Sequence, residues 1–182
     1  MVPKNPDFEK FLAMLIETTG QVEDTYFQVQ TASENESWGM YKERVYCYEL
    51  YHQLRNLRSD SGPYVLMGEI DKHRHKFISG GVVPDFVFHV PGNMDDNLVV
   101  MEVKRIDNNE KEKIEVDCKK LRKFVEEYAY KGAIYLVFGD EDGQIDKFRE
   151  IASQNLNGLK NGTFVLLWHK HAYERAGKEL RL

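Results

Sequence analysis

The spacing of apolar positions divides the chain into alternating helical and extended stretches. Phe8, Phe11, Leu12, Leu15 and Ile16 recur at intervals of three and four, which predicts a first helix ending near Gly20. Asp24 to Gln30 is expected as a short edge strand, and the polar run from Ala32 to Gly39 as a loop. A second helix is expected over about Tyr41 to Arg58, and a strand over Tyr64 to Ile70. Two further strands, Val82 to Val90 and Asn97 to Lys104, flank the turn-forming run Pro91 to Asp96 and predict an antiparallel hairpin. Ile114, Cys118, Leu121, Val125 and Tyr128 mark the buried stripe of a third helix. The apolar run Ala133 to Phe138 reads as a buried strand, followed by a short helix near Gln144 to Ser153 and a last strand, Thr163 to Trp168. Helices interleaved with strands in this way predict an α/β fold, a central mixed sheet meander flanked by helices.

The hairpin breaks its own pattern. Leu98 to Met101 is an apolar run, yet Glu102 and Lys104 close it, and Pro84-Asp85 opens the apolar run Phe86 to Phe88. A charge on a buried strand costs several kcal/mol unless it is paired, hydrogen-bonded or bound to a cation. If the turn centres between Asn93 and Met94, Asp85 stands opposite Glu102, and cross-strand neighbours of this kind have Cβ atoms about 4.5–5.5 Å apart. Alternation puts Glu102 and Lys104 on one face and Met101 and Val103 on the other. Two carboxyl groups so close raise one another's pKa unless a cation intervenes, and Mg²⁺ suits carboxylate and water ligands. The competing interpretation is an exposed strand ion pair of about 0–1 kcal/mol; it explains less well why the charges follow four apolar residues.

Pro84-Asp85 and Glu102-Val103-Lys104, in this strand context, resemble the PD-(D/E)XK nuclease superfamily. The order helix, three-strand meander, helix, strand also resembles that family's core, over roughly residues 41–140. The resemblance implies a restriction-endonuclease-like core and a Mg²⁺- or Mn²⁺-dependent nuclease, with DNA the favoured substrate and a 5′-phosphate and 3′-hydroxyl as products. It implies that Asp85, Glu102 and the Val103 carbonyl hold the metal. Lys104, kept charged by its carboxylate neighbours, would orient the attacking water or neutralise charge in the transition state. The family's first-helix acid is matched to Glu49, which lies among Val45, Tyr46 and Leu50. Glu69, ending the strand before the hairpin, is the rival for that place. An RNA endonuclease using the same site, and an inactive nucleic-acid- or protein-binding module of the same fold, are the alternatives.

Length and composition set bounds on this reading. The chain of 182 residues, 42% hydrophobic and 30% charged, fits a single soluble domain with its own core. No stretch approaches a membrane span of about 20 apolar residues, and Met1 to Pro6 lacks a signal-peptide core, so a cytoplasmic location without membrane partners is expected. Cys47 and Cys118, with no CxxC pair, are expected to be buried thiols. No P-loop lysine motif is present, so ATP use is not expected.

The net charge of −5 argues against tight, general binding of nucleic acid, since phosphate neutralisation carries that affinity. Three basic stretches could still act locally. Lys72, Arg74 and Lys76, interleaved with His73 and His75, precede the hairpin and are the first candidates for phosphate contact. His52, one turn beyond Glu49, is a candidate metal ligand or phosphate donor. Lys111 to Lys123 on the third helix and Lys170, Arg175, Lys178 and Arg181 in the tail are the others, each with a solvated face as the plain alternative. His73-x-His75 as a metal chelate is the weaker reading of that loop, and His89 is expected to be structural. Specificity is expected to come from a homodimer or a partner subunit.

Overall fold

A computed structural model describes residues 5–32, 37–57, 63–68, 83–92, 96–108, 110–160 and 162–182. In chain order the elements are α1 (Pro6–Thr19), α2 (Asp24–Phe27), β1 (Val29–Ala32), β2 (Ser37–Met40), α3 (Glu43–Leu57), β3 (Val65–Gly68), β4 (Phe86–His89), β5 (Asn97–Arg105), α4 (Lys111–Glu127), β6 (Gly132–Phe138), α5 (Gln144–Leu156), β7 (Thr163–His169) and β8 (Gly177–Arg181). β3 to β8 form one six-stranded sheet in sequence order, while β1 and β2 pair separately. β3, β4 and β5 are an antiparallel meander, β5–β6 and β6–β7 are parallel, and β8 returns antiparallel to β7. The parallel pairs are those joined by α4 and α5, as a crossover helix requires.

Local chemistry accounts for the elements. Asn5 caps α1, accepting from the amides of Asp7 and Phe8 at 3.0 Å each, with Pro6 in the first turn where its missing N–H costs nothing. β6 is apolar throughout and buried at all positions, which fits a central strand paired on both sides and covered on both faces. On one face, Phe11 of α1 stacks on Phe88 and Tyr46 of α3 stacks on Phe138, at centroid separations of 4.8 and 4.0 Å. On the other, Tyr135 meets Phe148 of α5 edge-on and hydrogen-bonds Asp117 of α4. The sheet is thus the middle layer of three, with α1 and α3 on one side and α4 and α5 on the other.

Three expectations need correction. Asp24 to Phe27 is a helical turn, and the strand begins only at Val29. Ser37 to Met40 is a strand within the stretch expected to be a loop, because it finds β1 as a partner. Thr163 to His169 is not the last strand: the tail returns as β8, whose Gly-Lys-Glu-Leu-Arg carries no apolar alternation. A charged edge strand of this kind resists further pairing. Its arginine side chain also anchors the tail: Arg181 pairs with Glu9, while Arg175, just before the strand, pairs with Glu17, both on α1. No helix among the described residues is long and apolar enough to cross a membrane.

Gly132 shows how closely α1 is seated. A Cβ built there would stand 2.1 Å from the Phe8 ring. Gly132→Ala should therefore cost about 1–3 kcal/mol in urea unfolding, and Phe8→Leu in the same chain should recover part of it. An unchanged midpoint for Gly132→Ala would mean that α1 does not pack on β6 in this way.

Candidate active site

The register of the hairpin determines the site. Phe86 is opposite Met101 and Phe88 opposite Val99, so one step further Asp85 falls opposite Glu102. The pairing predicted from turn position is the pairing found, with a shift only near the turn, between Phe88 and His89. Asp85 precedes the regular strand, and its Oδ2 accepts the Val103 amide at 2.7 Å. This is the part Val103 plays in the structure: its N–H orients the aspartate. Glu102 is 3% exposed in the middle of β5. Its Oε2 accepts from Lys120 of α4 at 2.7 Å, while Oε1, also buried, has no hydrogen-bond partner among the described residues.

Lys104, two residues along the same face, pairs with Asp117 of α4 at 2.9 Å. Asp117 Oδ2 also accepts from Tyr135 at 3.0 Å, and its Oδ1 lies 3.5 Å from Lys120 Nζ. Strand β5 and helix α4 thus share a buried polar cluster under an apolar sheet. At its edge lies a cleft of about 570 Å³, lined among others by Asp85 and Phe86 and by Glu43, Cys47 and Tyr51 of α3. Glu43, Asp85, Glu102 and Asp117 place four carboxyl groups around the ammonium groups of Lys104 and Lys120, and Arg44 lines the cleft beside Glu43.

The titration of the cluster follows. Burial pushes Asp85 up to about 6, opposed by the Val103 amide and assisted by Glu43. Burial raises Glu102 well above the usual carboxyl range, with Asp85 adding to the rise and Lys120 opposing it. For Lys104 burial acts downward, but Asp117, Glu43 and Asp85 outweigh it and hold the ammonium above its ordinary value. Lys120 is likewise pulled down by burial and raised on balance by Glu102, Asp117 and Asp85. Both lysines stay charged; the carboxyl pair carries the unfavourable charge.

The expected third acid is placed elsewhere. Glu49 is buried, but its Oε1 accepts from Gln53 at 2.6 Å. It is two residues from the cleft-lining Tyr51, so at 3.6 residues per turn the two side chains point nearly opposite ways. The α3 carboxylate that acts on Asp85 and Lys104 is Glu43, one turn before Cys47 on the cleft stripe. Glu43 reads in the sequence as an ordinary first-turn acid, so nothing singled it out. Asp117 and Lys120 were also missed as site residues. Asp117 did leave a signal: it is three residues after Ile114 and four before Leu121, inside the apolar stripe of α4. His52 is exposed, hydrogen-bonds Asn56 at 2.9 Å, and is not in the cleft lining. Glu69 and the loop bearing Lys72, His73, Arg74, His75 and Lys76 lie outside the described residues.

The other basic stretches are largely neutralised by near neighbours. On α4, Lys113 pairs with Glu110 at 2.7 Å and Arg122 with Glu126 at 2.7 Å, and Lys111 and Lys119 flank Glu115. In the tail, Lys170 pairs with Asp142, and Arg175 and Arg181 bind α1. His89 contacts Met67 on the adjoining strand at 3.3 Å. Cys118 is buried, and that burial pushes its thiol up to about 12.

The donor set suits a hard divalent ion. Mg²⁺ commonly takes one or two carboxylates and completes its shell with water and substrate phosphate. Asp85 and the Glu102 Oε1 that has no hydrogen-bond partner among the described residues could supply that pair. No group of three or more His, Cys, Asp or Glu among the described residues converges to form an all-protein cage. No family model, curated protein or solved structure matches the chain.

A pH dependence follows from the raised carboxyls. Folded pKa values above the unfolded ones mean that the folded chain binds more protons, so stability is lost as pH rises through the window from about 4 to 6, and further for Glu102. In chelator, the melting temperature of the metal-free protein should fall between about pH 5 and pH 8, and Asp85→Asn should flatten the fall and melt higher at the upper end. Parallel curves for the two proteins would show that Asp85 carries no such penalty.

Proposed function

We propose that the chain is a metal-dependent phosphodiesterase of the PD-(D/E)XK nuclease type, cutting nucleic acid, with DNA favoured. The observation that carries the reading is the buried Glu102 Oε1, without a hydrogen-bond partner among the described residues, at the strand position that the register sets beside Asp85, with Lys104 next along the same strand face. A fold does not spend several kcal/mol on two adjacent buried carboxyl groups without a compensating role. The element order supports the same reading: α3, the meander β3–β4–β5, α4 and a parallel β6 follow the order that the resemblance implies.

Asp85 and Glu102 would hold Mg²⁺ or Mn²⁺, with Asp85 kept in place by the Val103 amide. The ion, when bound, acidifies a water and offsets charge on the phosphoryl oxygens. Lys104 is held from behind by Asp117, itself fixed by Tyr135, so its ammonium stands charged and oriented beside the carboxyl pair. There it opposes the negative charge that grows on the phosphate in the transition state. Glu43 lines the cleft on the α3 side and acts electrostatically on Asp85, which supports a part for it beside the pair. Tyr51 stacks on Phe86 in the cleft lining and gives it an apolar patch.

The test is cleavage of duplex DNA, single-stranded DNA and RNA with Mn²⁺. Asp85→Asn and Glu102→Gln should abolish cutting, and Lys104→Ala should reduce it by about 10²–10³-fold, the usual scale for one charge-stabilising group. Activity equal to wild type in either carboxylate variant would remove the site from the chemistry. Cutting of RNA alone would assign the RNA alternative, and binding without cutting the inactive module. In the same assay Glu43→Gln should lose more activity than Glu49→Gln; the reverse order would restore Glu49 as the third acid.

A further inference from the structure

Glu102 already has a cation. Lys120 Nζ lies 2.7 Å from Glu102 Oε2, 3.4 Å from the Val83 carbonyl and 3.5 Å from Asp117 Oδ1. Its side chain is 17% exposed, so this is an internal contact and not a surface ion pair. The ammonium therefore bridges α4 to the segment that leads into β4, just before Asp85, and sits on one of the two carboxyl groups that the reading above assigns to a divalent ion.

Asp117 is built to take that ammonium over. Its Oδ2 is already occupied by Lys104 and Tyr135, whereas Oδ1 has Lys120 as its neighbour at slightly more than hydrogen-bond distance. Closing that gap takes a movement of under about 1 Å, within the reach of a flexible lysine stem. Two cations cannot share Glu102 without mutual repulsion, and the nearest alternative anion is one side chain away.

We propose that Lys120 is the resident counter-ion of the Asp85–Glu102 pair, and that divalent-ion binding transfers its ammonium from Glu102 to Asp117 Oδ1. Lys120 is a positioning residue: it keeps the carboxyl pair assembled without the ion and yields the site when the ion arrives. Asp117 then holds both lysines, Lys104 through Oδ2 and Lys120 through Oδ1. The proposal rests on the metal-site reading but not on nuclease activity, so its readout is ion binding.

The experiment is calorimetric titration with Mn²⁺ on the full chain, without nucleic acid, for wild type, Lys120→Met, Asp117→Asn and the double variant. Lys120→Met should tighten Mn²⁺ binding by about tenfold or more, the scale of one close charge interaction in a partly buried site. Lys120→Arg, which keeps the charge, should show no such rise. Asp117→Asn should weaken Mn²⁺ binding when Lys120 is present and change it less in the Lys120→Met background, because the contact of Asp117 with Lys104 is lost in both backgrounds and only Lys120 draws on Oδ1. Should Lys120→Met fail to fold, Lys120→Gln keeps a donor toward Glu102 and carries the same expectation. Equal effects of Asp117→Asn in both backgrounds, weaker binding in Lys120→Met, or no Mn²⁺ binding by any of these proteins would overturn the proposal. Mn²⁺ binding with this non-additivity but without cleavage would uphold it and reject the nuclease reading.

Discussion

Everything distinctive about this structure depends on the pairing of two carboxyl groups at the start of β4 and the middle of β5. Asp85 and Glu102 are set opposite one another by the strand register, and burial makes both reluctant to ionise. Backbone hydrogen bonding and apolar packing of Phe86, Val87, Val100 and Met101 hold the hairpin at that register. A slip of one residue would turn Glu102 toward α1 and α3, and the sheet forbids it because every apolar neighbour would turn with it. The favourable energy of the core thus maintains an unfavourable electrostatic arrangement at one point.

The surrounding polar groups are arranged to contain that cost. Lys120 and Lys104 reach the cluster from different elements, and Asp117 joins them while Tyr135 secures Asp117. Breaking a buried pair by deleting one partner typically costs about 3–5 kcal/mol, because the other charge is left without compensation. Yet one Glu102 oxygen stays without a partner among the described residues. Asp85 lines the cleft of about 570 Å³, and a divalent ion bound there would offset the charge of the carboxyl pair. Elsewhere many charges pair with near neighbours, within α4 or between the tail and α1.

How far the sequence discloses this arrangement depends on range. The hairpin was legible because Pro84-Asp85, the turn run and Glu102-x-Lys104 lie within about twenty residues, and strand alternation then dictates which side chains meet. The long helices and β6 were legible from periodicity and from unbroken apolar runs. β2 and β8 were not, because a four-residue strand with a glycine and a charged strand gain their stability from partners that local pattern does not reveal. Glu43 and Glu49 illustrate the same limit inside one helix. Burial among apolar neighbours made Glu49 the more conspicuous, but Gln53 satisfies it, and only the docking of α3 decides that the stripe Glu43, Cys47 and Tyr51 faces the cleft. Lys120 looked like one of several surface lysines on α4, and its difference lies wholly in what the helix packs against.

The claim that the Asp85–Glu102 pair is a divalent-ion site is tested most directly by crystals soaked in Mn²⁺ and measured at an energy where manganese scatters anomalously. The account predicts one strong anomalous peak within about 2.0–2.3 Å of a carboxylate oxygen from each of Asp85 and Glu102, the range of hard-cation ligand distances. Ordered Asp85 and Glu102 with no peak between them, or manganese bound only at other carboxylates, would contradict it.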